Sequence, residues 1–557
     1  MPIAESRRSG LRSSALLCVL CLGLYLPGLT TIPPLDRDEA RFAQATRQML
    51  QTGDFLRIRF QDEARNKKPA GIYWLQAASV AVFSTADSTA MWPYRLPSLL
   101  GAIGAVLLTF AFGRALLRAG PEPAAAQRIA GLAAVLLASA FGLVAEAHIA
   151  KTDAMLLAAV VAGQGALGLA YVRGRAGAHV PASVALAFWV AEAVAVLLKG
   201  PVAPALALLT AAVLSIADRD MRWLRNLRPL AGLALAALLI APWVVALQMA
   251  SEGHFLGESL REDLLAKLLG PQEAHGAPPF YYLLLCFATF WPGSVLIVPA
   301  IARAWGRHDM PVERFLLAWI VPAWIFLELV PTKLPHYALP LYPALALLAG
   351  SALAQGWETG RNSWIGLLDI AARVLWAIVT LVLAAALIVL PLRFGNLLPP
   401  GAVVGALALV GLGAALLRVR GRPVASGGLL AGLSLVLAAS AGLSVLPGLD
   451  RLWLSRSVAA MVARNPPPRS MPVVAVGYSE PSLVFLLGGT VRLLSPPAAA
   501  EALAEGGDAL VAGREEAMFR QALAARGLVA KSLDRVPGTD YSNGQRMVLT
   551  LYAVEPG

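Results

Sequence analysis

The chain has 557 residues, of which 58% are hydrophobic and only 14% are charged. Soluble domains carry about 25% charged residues, so this composition excludes an ordinary soluble protein. The net charge of +12 does not indicate nucleic-acid binding, because the arginines cluster between apolar runs, where they orient membrane helices. All three cysteines (Cys18, Cys21 and Cys286) lie inside apolar runs and offer neither a disulfide framework nor a metal–thiolate set.

Apolar runs of about 20 residues, the length that crosses the hydrocarbon core of a bilayer, recur from Ser14 to Leu446. The first run is predicted to be an uncleaved helix, because Tyr25–Gly28 is a poor cleavage site for a signal peptide. The fold class predicted for residues 1–446 is therefore a polytopic α-helical membrane domain. We predict thirteen spans, at 14–31, 92–117, 127–147, 152–172, 182–199, 201–216, 229–250, 279–302, 312–330, 335–354, 367–391, 400–418 and 426–446.

The long polar stretch 32–91 contains two amphipathic or short apolar segments, Asp38–Met49 and Ala70–Phe83. We predict that both lie in the membrane interface without crossing it. With the N-terminus in the cytoplasm, this choice places most arginine-rich loops on the cytoplasmic side, as the positive-inside rule requires. Counting Ala70–Phe83 as a span would invert every later loop, so stretch 32–91 and the C-terminal domain are predicted on the outer face.

Charged and polar residues return after Leu446, which predicts a second, soluble domain at 447–557. Alternating strand-like and helical stretches indicate a small α/β domain without a convincing catalytic constellation. The predicted strands are Val473–Val476, Val491–Leu494, Ala509–Ala512 and Met547–Val554, and the predicted helices are Pro481–Leu487, Ala498–Ala504 and Glu515–Arg526.

Ionisable residues near the ends of membrane helices are costly unless they are solvated or paired. Those that helix orientation leaves unexplained all fall on the predicted outer face, where separate loops supply both carboxylates and cations. Cations there would bind a lipid phosphate, and carboxylates would orient a sugar or act as a general base. A site with both suits a lipid-linked phosphosugar, whose anionic leaving group must be stabilised. The set includes Asp36, Asp38, Glu39, Arg41, Lys67, Lys68, Glu146, His148, Lys151, Asp153, Lys199, Arg261, Lys333, His336 and Tyr337.

Four motifs, in order, resemble those of polyprenyl-phosphate-dependent glycosyltransferases with the GT-C fold, which include protein O-mannosyltransferases and lipid A aminoarabinose transferases. The last motif is similar to a signature of the aminoarabinose branch, and Gly477–Ser482 in the tail also resembles that branch. The motifs are Leu35–Phe42, Lys67–Pro69 with Tyr73–Leu75 and Tyr94–Ser98, Thr152–Met155, and Lys333–Pro340.

The resemblance implies an inverting transfer of 4-amino-4-deoxy-L-arabinose from undecaprenyl phosphate to a lipid A phosphate, on the periplasmic face of the bacterial inner membrane. Resistance to polymyxin and other cationic peptides would follow. The implied catalytic residues are Asp38, Asp153 and Glu39. The implied substrate- and phosphate-binding residues are Arg41, Lys68, Lys199, Arg261, Lys333 and Tyr337. The expected partners are the lipid-linked donor, lipid A and membrane lipids; a monomer suffices, and no cofactor is required.

A metal site is a separate hypothesis. His254 and His275 share one outer loop, and Glu63 in stretch 32–91 is a candidate third ligand. Zn²⁺ favours such ligands, and a zinc ion there would be structural. The spacing matches no tight metal motif, so ordinary loop histidines remain the alternative.

Two other functions stay open at this point. A related lipid-dependent transferase could act on a protein hydroxyl, as O-mannosyltransferases do, and would then need a true general base. A transporter of lipid-linked sugars is more distant, because transporters often contain internal repeats and mid-membrane polar residues. The charges here lie toward one face, and the sequence shows no repeat.

Overall fold

The structure is a computed structural model that describes residues 2–65, 69–120, 123–250, 278–357, 364–419, 421–467 and 471–557, with side chains from residue 10 onward. The helices of the first 450 residues are α1 Pro2–Tyr25, α2 Asp38–Thr52, α3 Gly71–Phe83, α4 Trp92–Arg118, α5 Ala126–Ser139, α6 Phe141–Ala147, α7 Asp153–Arg175, α8 Ala182–Lys199, α9 Val202–Asp218, α10 Pro229–Ala250, α11 Tyr281–Thr289, α12 Ile297–Gly306, α13 Pro311–Leu329, α14 Tyr342–Ala354, α15 Trp364–Phe394, α16 Pro400–Arg418 and α17 Pro423–Ala439.

Each of the thirteen predicted spans falls on helical chain. Among the described residues, eight helices are long and apolar enough to cross a membrane, and the pair α5–α6, bent by 61°, would make a ninth. The other four runs fall on α1, on the 17-residue α9, on α11 and α12, which are separate helices, and on α13, which carries three charged residues. The chain is therefore a multi-pass membrane protein with fewer uninterrupted apolar helices than predicted runs.

Close packing of α4 against α7 places the first candidate residues. A Cβ on Gly101 of α4 would lie 2.6 Å from the backbone nitrogen of Met155, so only glycine lets the two helices approach this closely. Small residues commonly permit such contacts between membrane helices. Consequently the first turn of α7, which begins at Asp153, lies directly against α4.

Stretch 32–91 folds into α2, α3 and a two-residue hairpin, β1 Arg59–Phe60 and β2 Glu63–Ala64. Helix α3 has 13 residues, which is too short to cross a bilayer, as predicted. Helix α2 packs on α3 through the stacked rings of Phe42 and Tyr73, whose centroids are 5.0 Å apart. This packing leaves the first residues of α2 facing the C-terminal domain.

The C-terminal domain begins with helix α18 after the last apolar helical segment, which ends at Gly448. Its five-stranded sheet has the order β4-β3-β5-β7-β6; β3 runs parallel to β4 and β5, and β7 runs antiparallel to β5 and β6. The elements are α18 Leu454–Arg464, β3 Val474–Val476, α19 Pro481–Leu486, β4 Arg492–Leu493, α20 Pro496–Ala502, β5 Gly507–Ala512, α21 Glu516–Ala524, β6 Leu528–Asp540 and β7 Gln545–Pro556.

All four predicted strands and all three predicted helices of this domain are present, but sequence analysis missed helix α18 and strand β6. This strand lies at the edge of the sheet and exposes most of its length. It contains four charged residues as well as Pro537 and Gly538, which are unusual in strand interiors. Strand β6 therefore lacks the regular alternation of apolar and polar residues by which a strand is predicted from sequence.

Candidate active site

A cavity of about 1490 Å³ lies where the outer ends of the membrane helices meet stretch 32–91 and the C-terminal domain. Ligand pockets typically measure about 300–1,000 Å³, so this cavity is larger than most pockets for a single small ligand. The membrane domain contributes the start of α7, the end of α8 and the segment 334–337, which precedes α14. The other walls are the start of α2, the β1–β2 hairpin, and the β4 and β6–β7 regions of the C-terminal domain.

Asp153, the first residue of α7, is the centre of an ionic cluster in this cavity. Its side chain is 7% exposed and accepts a hydrogen bond from Nζ of Lys199, the last residue of α8. Lys151 Nζ lies 3.4 Å from the other Asp153 oxygen, and His336 Nε2 lies 3.8 Å from the first. Lys151 also lies 3.1 Å from Glu146 Oε1. A helix N-terminus favours the carboxylate and a helix C-terminus favours the ammonium, so both helix ends stabilise the charges that they carry.

Lys151 keeps its positive charge despite its surroundings. Burial alone lowers the pKa of its ammonium group, but the carboxylates of Asp153 and Glu146 outweigh burial and raise that pKa above its ordinary value. The cluster therefore presents two ammonium groups, on Lys151 and Lys199, to the cavity.

The same cluster has the ligand types of a metal site, since oxygen or nitrogen atoms of Glu146, Asp153 and His336 lie within 4.8 Å of one another. However, Lys151 Nζ lies 3.1 to 3.4 Å from all three side chains, including 3.3 Å from His336 Nδ1. An ammonium group thus occupies the place that a cation would take. These residues fit an ion-pair network rather than a metal centre.

Of the other predicted residues, Asp38 is exposed at the first position of α2 and lines the cavity, and Arg41 lines it one turn later. Tyr337 also lines the cavity, with its ring centroid 5.5 Å from Lys199 Nζ, within the range of a cation–π contact. Lys333 is 7% exposed and lies between two lining residues, Thr332 and Leu334.

Glu39 occupies a different environment from its neighbour Asp38. Its carboxylate oxygens accept hydrogen bonds from Arg95 Nε and Nη2 at 2.8 and 2.9 Å, and both side chains are fully buried. They also accept the backbone N–H groups of Leu35 and Ala150. The three remaining N–H groups of the guanidinium donate to the carbonyl oxygens of Leu29, Ile32 and Pro33. This geometry favours a positioning function for Glu39, which also lines the cavity, and the catalytic function predicted from sequence stays a prediction.

Several predicted residues cannot be placed: Lys68, Arg261, His254 and His275 lie outside the described residues. Glu63, the third predicted zinc ligand, is exposed in β2 and lines the cavity. Their predicted functions stay predictions.

The C-terminal domain supplies lining residues that sequence analysis did not single out, including Tyr541, Ser542 and Arg492. No local signal marks them, because their neighbours in the cavity include residues 35–42, which lie more than 400 residues earlier in the chain. The tail thus forms part of the cavity wall.

No protein-family model matches the chain. Curated relatives do match it, and they bear the name undecaprenyl phosphate-alpha-4-amino-4-deoxy-L-arabinose arabinosyl transferase. The protein of this name from Pseudomonas paraeruginosa PA7 is 30% identical over 346 residues, which cover 61% of this chain and 59% of the relative. Transferase 2 of Pseudomonas fluorescens Pf-5 is 30% identical over 384 residues, or 66% and 62% of the two chains. The match spans about three fifths of the length of these relatives.

Solved structures extend the likeness to nearly the whole chain. The apo crystal structure of ArnT from Cupriavidus metallidurans has a TM-score of 0.74 at 19% identity and covers 97% of both chains. Its complex with undecaprenyl phosphate has a TM-score of 0.71 at 19% identity, covering 96% of this chain and 97% of that one. The oligosaccharyltransferase of Archaeoglobus fulgidus has a TM-score of 0.52 at 12% identity, covering 94% and 69%. The resemblance drawn from the motifs is therefore confirmed, and the chain has the GT-C fold of the aminoarabinose transferases.

Proposed function

We propose that the chain transfers 4-amino-4-deoxy-L-arabinose from undecaprenyl phosphate to a phosphate group of lipid A, as a monomer, on the periplasmic face of the bacterial inner membrane. The observation that carries this proposal is the cavity, in which exposed Asp38 and the Asp153–Lys199–Lys151 cluster line one space at the end of the membrane helices. The names of the relatives support the donor.

Lys151 and Lys199 are suited to hold the phosphate of the lipid-linked donor. The undecaprenyl phosphate gains negative charge as its bond to the sugar breaks, and preorganised cations at that point stabilise the transition state. Asp153 fixes the two ammonium groups before the substrate arrives, so little reorganisation is needed during the reaction. The solved relative bound to undecaprenyl phosphate supports a carrier lipid of this kind.

A lipid A phosphate is already an anion near neutral pH and can attack without a strong base. Its oxygen forms a bond to C1 of the sugar while the bond from C1 to the undecaprenyl phosphate oxygen breaks. Undecaprenyl phosphate leaves with the electron pair, and direct attack inverts the configuration at C1. Asp38 would orient the acceptor or pair with the ammonium group of the aminosugar, an ionic hydrogen bond of the stronger class.

The relatives' names favour aminoarabinose as the transferred sugar over mannose, and transfer over transport. The Asp38 environment is consistent with this choice. Its carboxylate is exposed in the cavity and has none of the buried partners that surround Glu39. A protein hydroxyl as acceptor would instead call for a positioned general base.

Mass spectrometry of lipid A tests the proposal. Cells that make the activated aminosugar but lack their own transferase would express this chain, its Asp38→Asn variant and a control, Asp534→Asn, which changes a half-buried acid in β6, outside the cavity. We expect aminoarabinose on lipid A with the wild type and the control, and none with Asp38→Asn. Unmodified lipid A from abundant, folded wild-type protein would overturn the proposal.

A further inference from the structure

Helix α19 of the C-terminal domain packs against α2 and contacts both the chain just before this helix and its third turn. At one end, the backbone N–H of Ser482 donates to Asp36 Oδ1 at 2.7 Å. At the other end, the buried Arg47 donates from Nη1 to the carbonyl oxygen of Phe485 at 2.6 Å, and its guanidinium carbon lies 4.2 Å from the Phe485 ring centroid. Asp38 lies within the segment that these two contacts hold.

A second part of the same domain, the turn between β6 and β7, holds the same segment. The backbone N–H of Asp36 donates to the hydroxyl oxygen of Tyr541 at 2.6 Å. Arg37 Nη2 donates to the carbonyl oxygen of Ser542 at 3.0 Å. The Tyr541 ring packs edge-on against Trp453, with centroids 6.0 Å apart, which fixes the hydroxyl in place. Asp36 is thus engaged through its carboxylate and its backbone by two separate elements of the domain.

The surroundings of Asp36 are rich in negative charge. Burial raises the pKa of its carboxyl to about 6, and nearby Asp540 adds to the increase. Burial raises the pKa of Glu480 to about 7, with further contributions from Asp36 and Asp540. Tyr478 and Tyr541 also face this group, and Arg37 is the nearby cation. Carboxyl groups that lie this close together disfavour one another's ionisation and lower the stability of the fold. Such clusters are typical of functional sites.

We propose that the C-terminal domain is a positioning element of the active site, which fixes Asp36 through Ser482 and Tyr541 and thereby sets the orientation of Asp38 two residues later. Asp36 is a positioning residue in this scheme, and Asp38 alone of the pair meets the substrates. The inference rests on the proposed function, since it assigns Asp38 to that reaction. A domain that merely covered the cavity would be insensitive to the loss of one such hydrogen bond.

Tyr541→Phe is the sharpest test, because it removes only the hydroxyl that accepts the Asp36 N–H and keeps the ring against Trp453. The matched control is Tyr552→Phe, which removes a hydroxyl of the neighbouring strand β7 that donates to Glu516 at 2.6 Å. Small misplacements of a catalytic group cost up to roughly 100-fold in rate. We expect Tyr541→Phe to lower kcat by about 10- to 100-fold with an unchanged KM for the donor, and the control to behave like the wild type.

Hydrogen exchange of the peptide spanning residues 36–47 provides a readout that does not depend on activity. We expect faster exchange there in Tyr541→Phe than in Tyr552→Phe or the wild type, at an unchanged melting temperature. Wild-type exchange and wild-type kcat in Tyr541→Phe would overturn the inference, as would a change in KM alone, which would place Tyr541 on the substrate. If the wild type transfers no aminoarabinose, the proposed function fails, and the exchange data still decide whether the domain holds this segment.

Discussion

Replacing Glu39 by Gln separates a positioning function from a catalytic one. Glu39 and Arg95 form a fully buried ion pair in which all five N–H groups of the guanidinium have acceptors. Glu39 also binds the N–H of Ala150, just before the Lys151–Asp153 segment of the cavity. Gln has nearly the same shape but no charge, so the substitution leaves a buried guanidinium without its counterion.

Breaking a buried ion pair by neutralising one partner costs about 3–5 kcal/mol. Typical stabilities are roughly 5–15 kcal/mol, so this loss removes a large share of the free energy of unfolding. The surface pair Arg464–Asp534 is the matched control, because its two side chains are 62% and 34% exposed. Asp534→Asn is expected to leave the free energy of unfolding nearly unchanged, because solvent screens this surface ion pair.

The assay is unfolding of the purified protein in detergent, measured beside transfer by the folded fraction. We expect a much lower free energy of unfolding in Glu39→Gln, and near wild-type stability in Asp534→Asn and in Asp38→Asn, although Asp38→Asn does not transfer. Wild-type stability in a Glu39→Gln protein that has lost transfer would refute this reasoning. That result would support the catalytic function predicted for Glu39 from the sequence.

Three further predictions concern pH, charge and metal. Raising the pH from 5 to 8 is expected to lower the melting temperature. The folded chain holds protons on Asp36 and Glu480, whose pKa values are about 6 and about 7, whereas the same groups of the unfolded chain have already lost them at pH 5, so the folded state loses this advantage as the pH rises. Glu480→Gln is expected to make the melting temperature less dependent on pH. Lys199→Gln is expected to lower kcat for transfer by about 100-fold or more, since it removes one preorganised cation of the cavity. Dialysis against EDTA is expected to leave the transfer rate unchanged. If a structural zinc ion is bound by His254 and His275, EDTA lowers the melting temperature of the wild type but not that of the His254→Ala variant.

The sequence alone determined where the chain is helical and apolar, because the length and hydrophobicity of a membrane helix are properties of one continuous segment. The same reasoning placed Gly71–Phe83 outside the spans and located the sheet domain after residue 446. It failed for β6, an exposed edge strand whose pairing depends on β7 and hardly on its own residues.

The sequence also indicated that carboxylates and cations gather at one end of the helices, since the arginine pattern assigns each loop to a side of the membrane. It did not distinguish Asp38 from Glu39. Adjacent helical residues point about 100° apart, so the Asp38 side chain is exposed in the cavity, while the buried Glu39 carboxylate in the cavity wall binds Arg95.

Only the tertiary structure decided which groups act together. Asp153, Lys199 and His336 lie on separate helical segments and meet because α7, α8 and the 334–337 segment converge at one end of the membrane domain. Asp36 meets Tyr541 across 505 residues of sequence. Such contacts arise from the packing of whole helices and of one domain on another, which no local pattern of residues encodes.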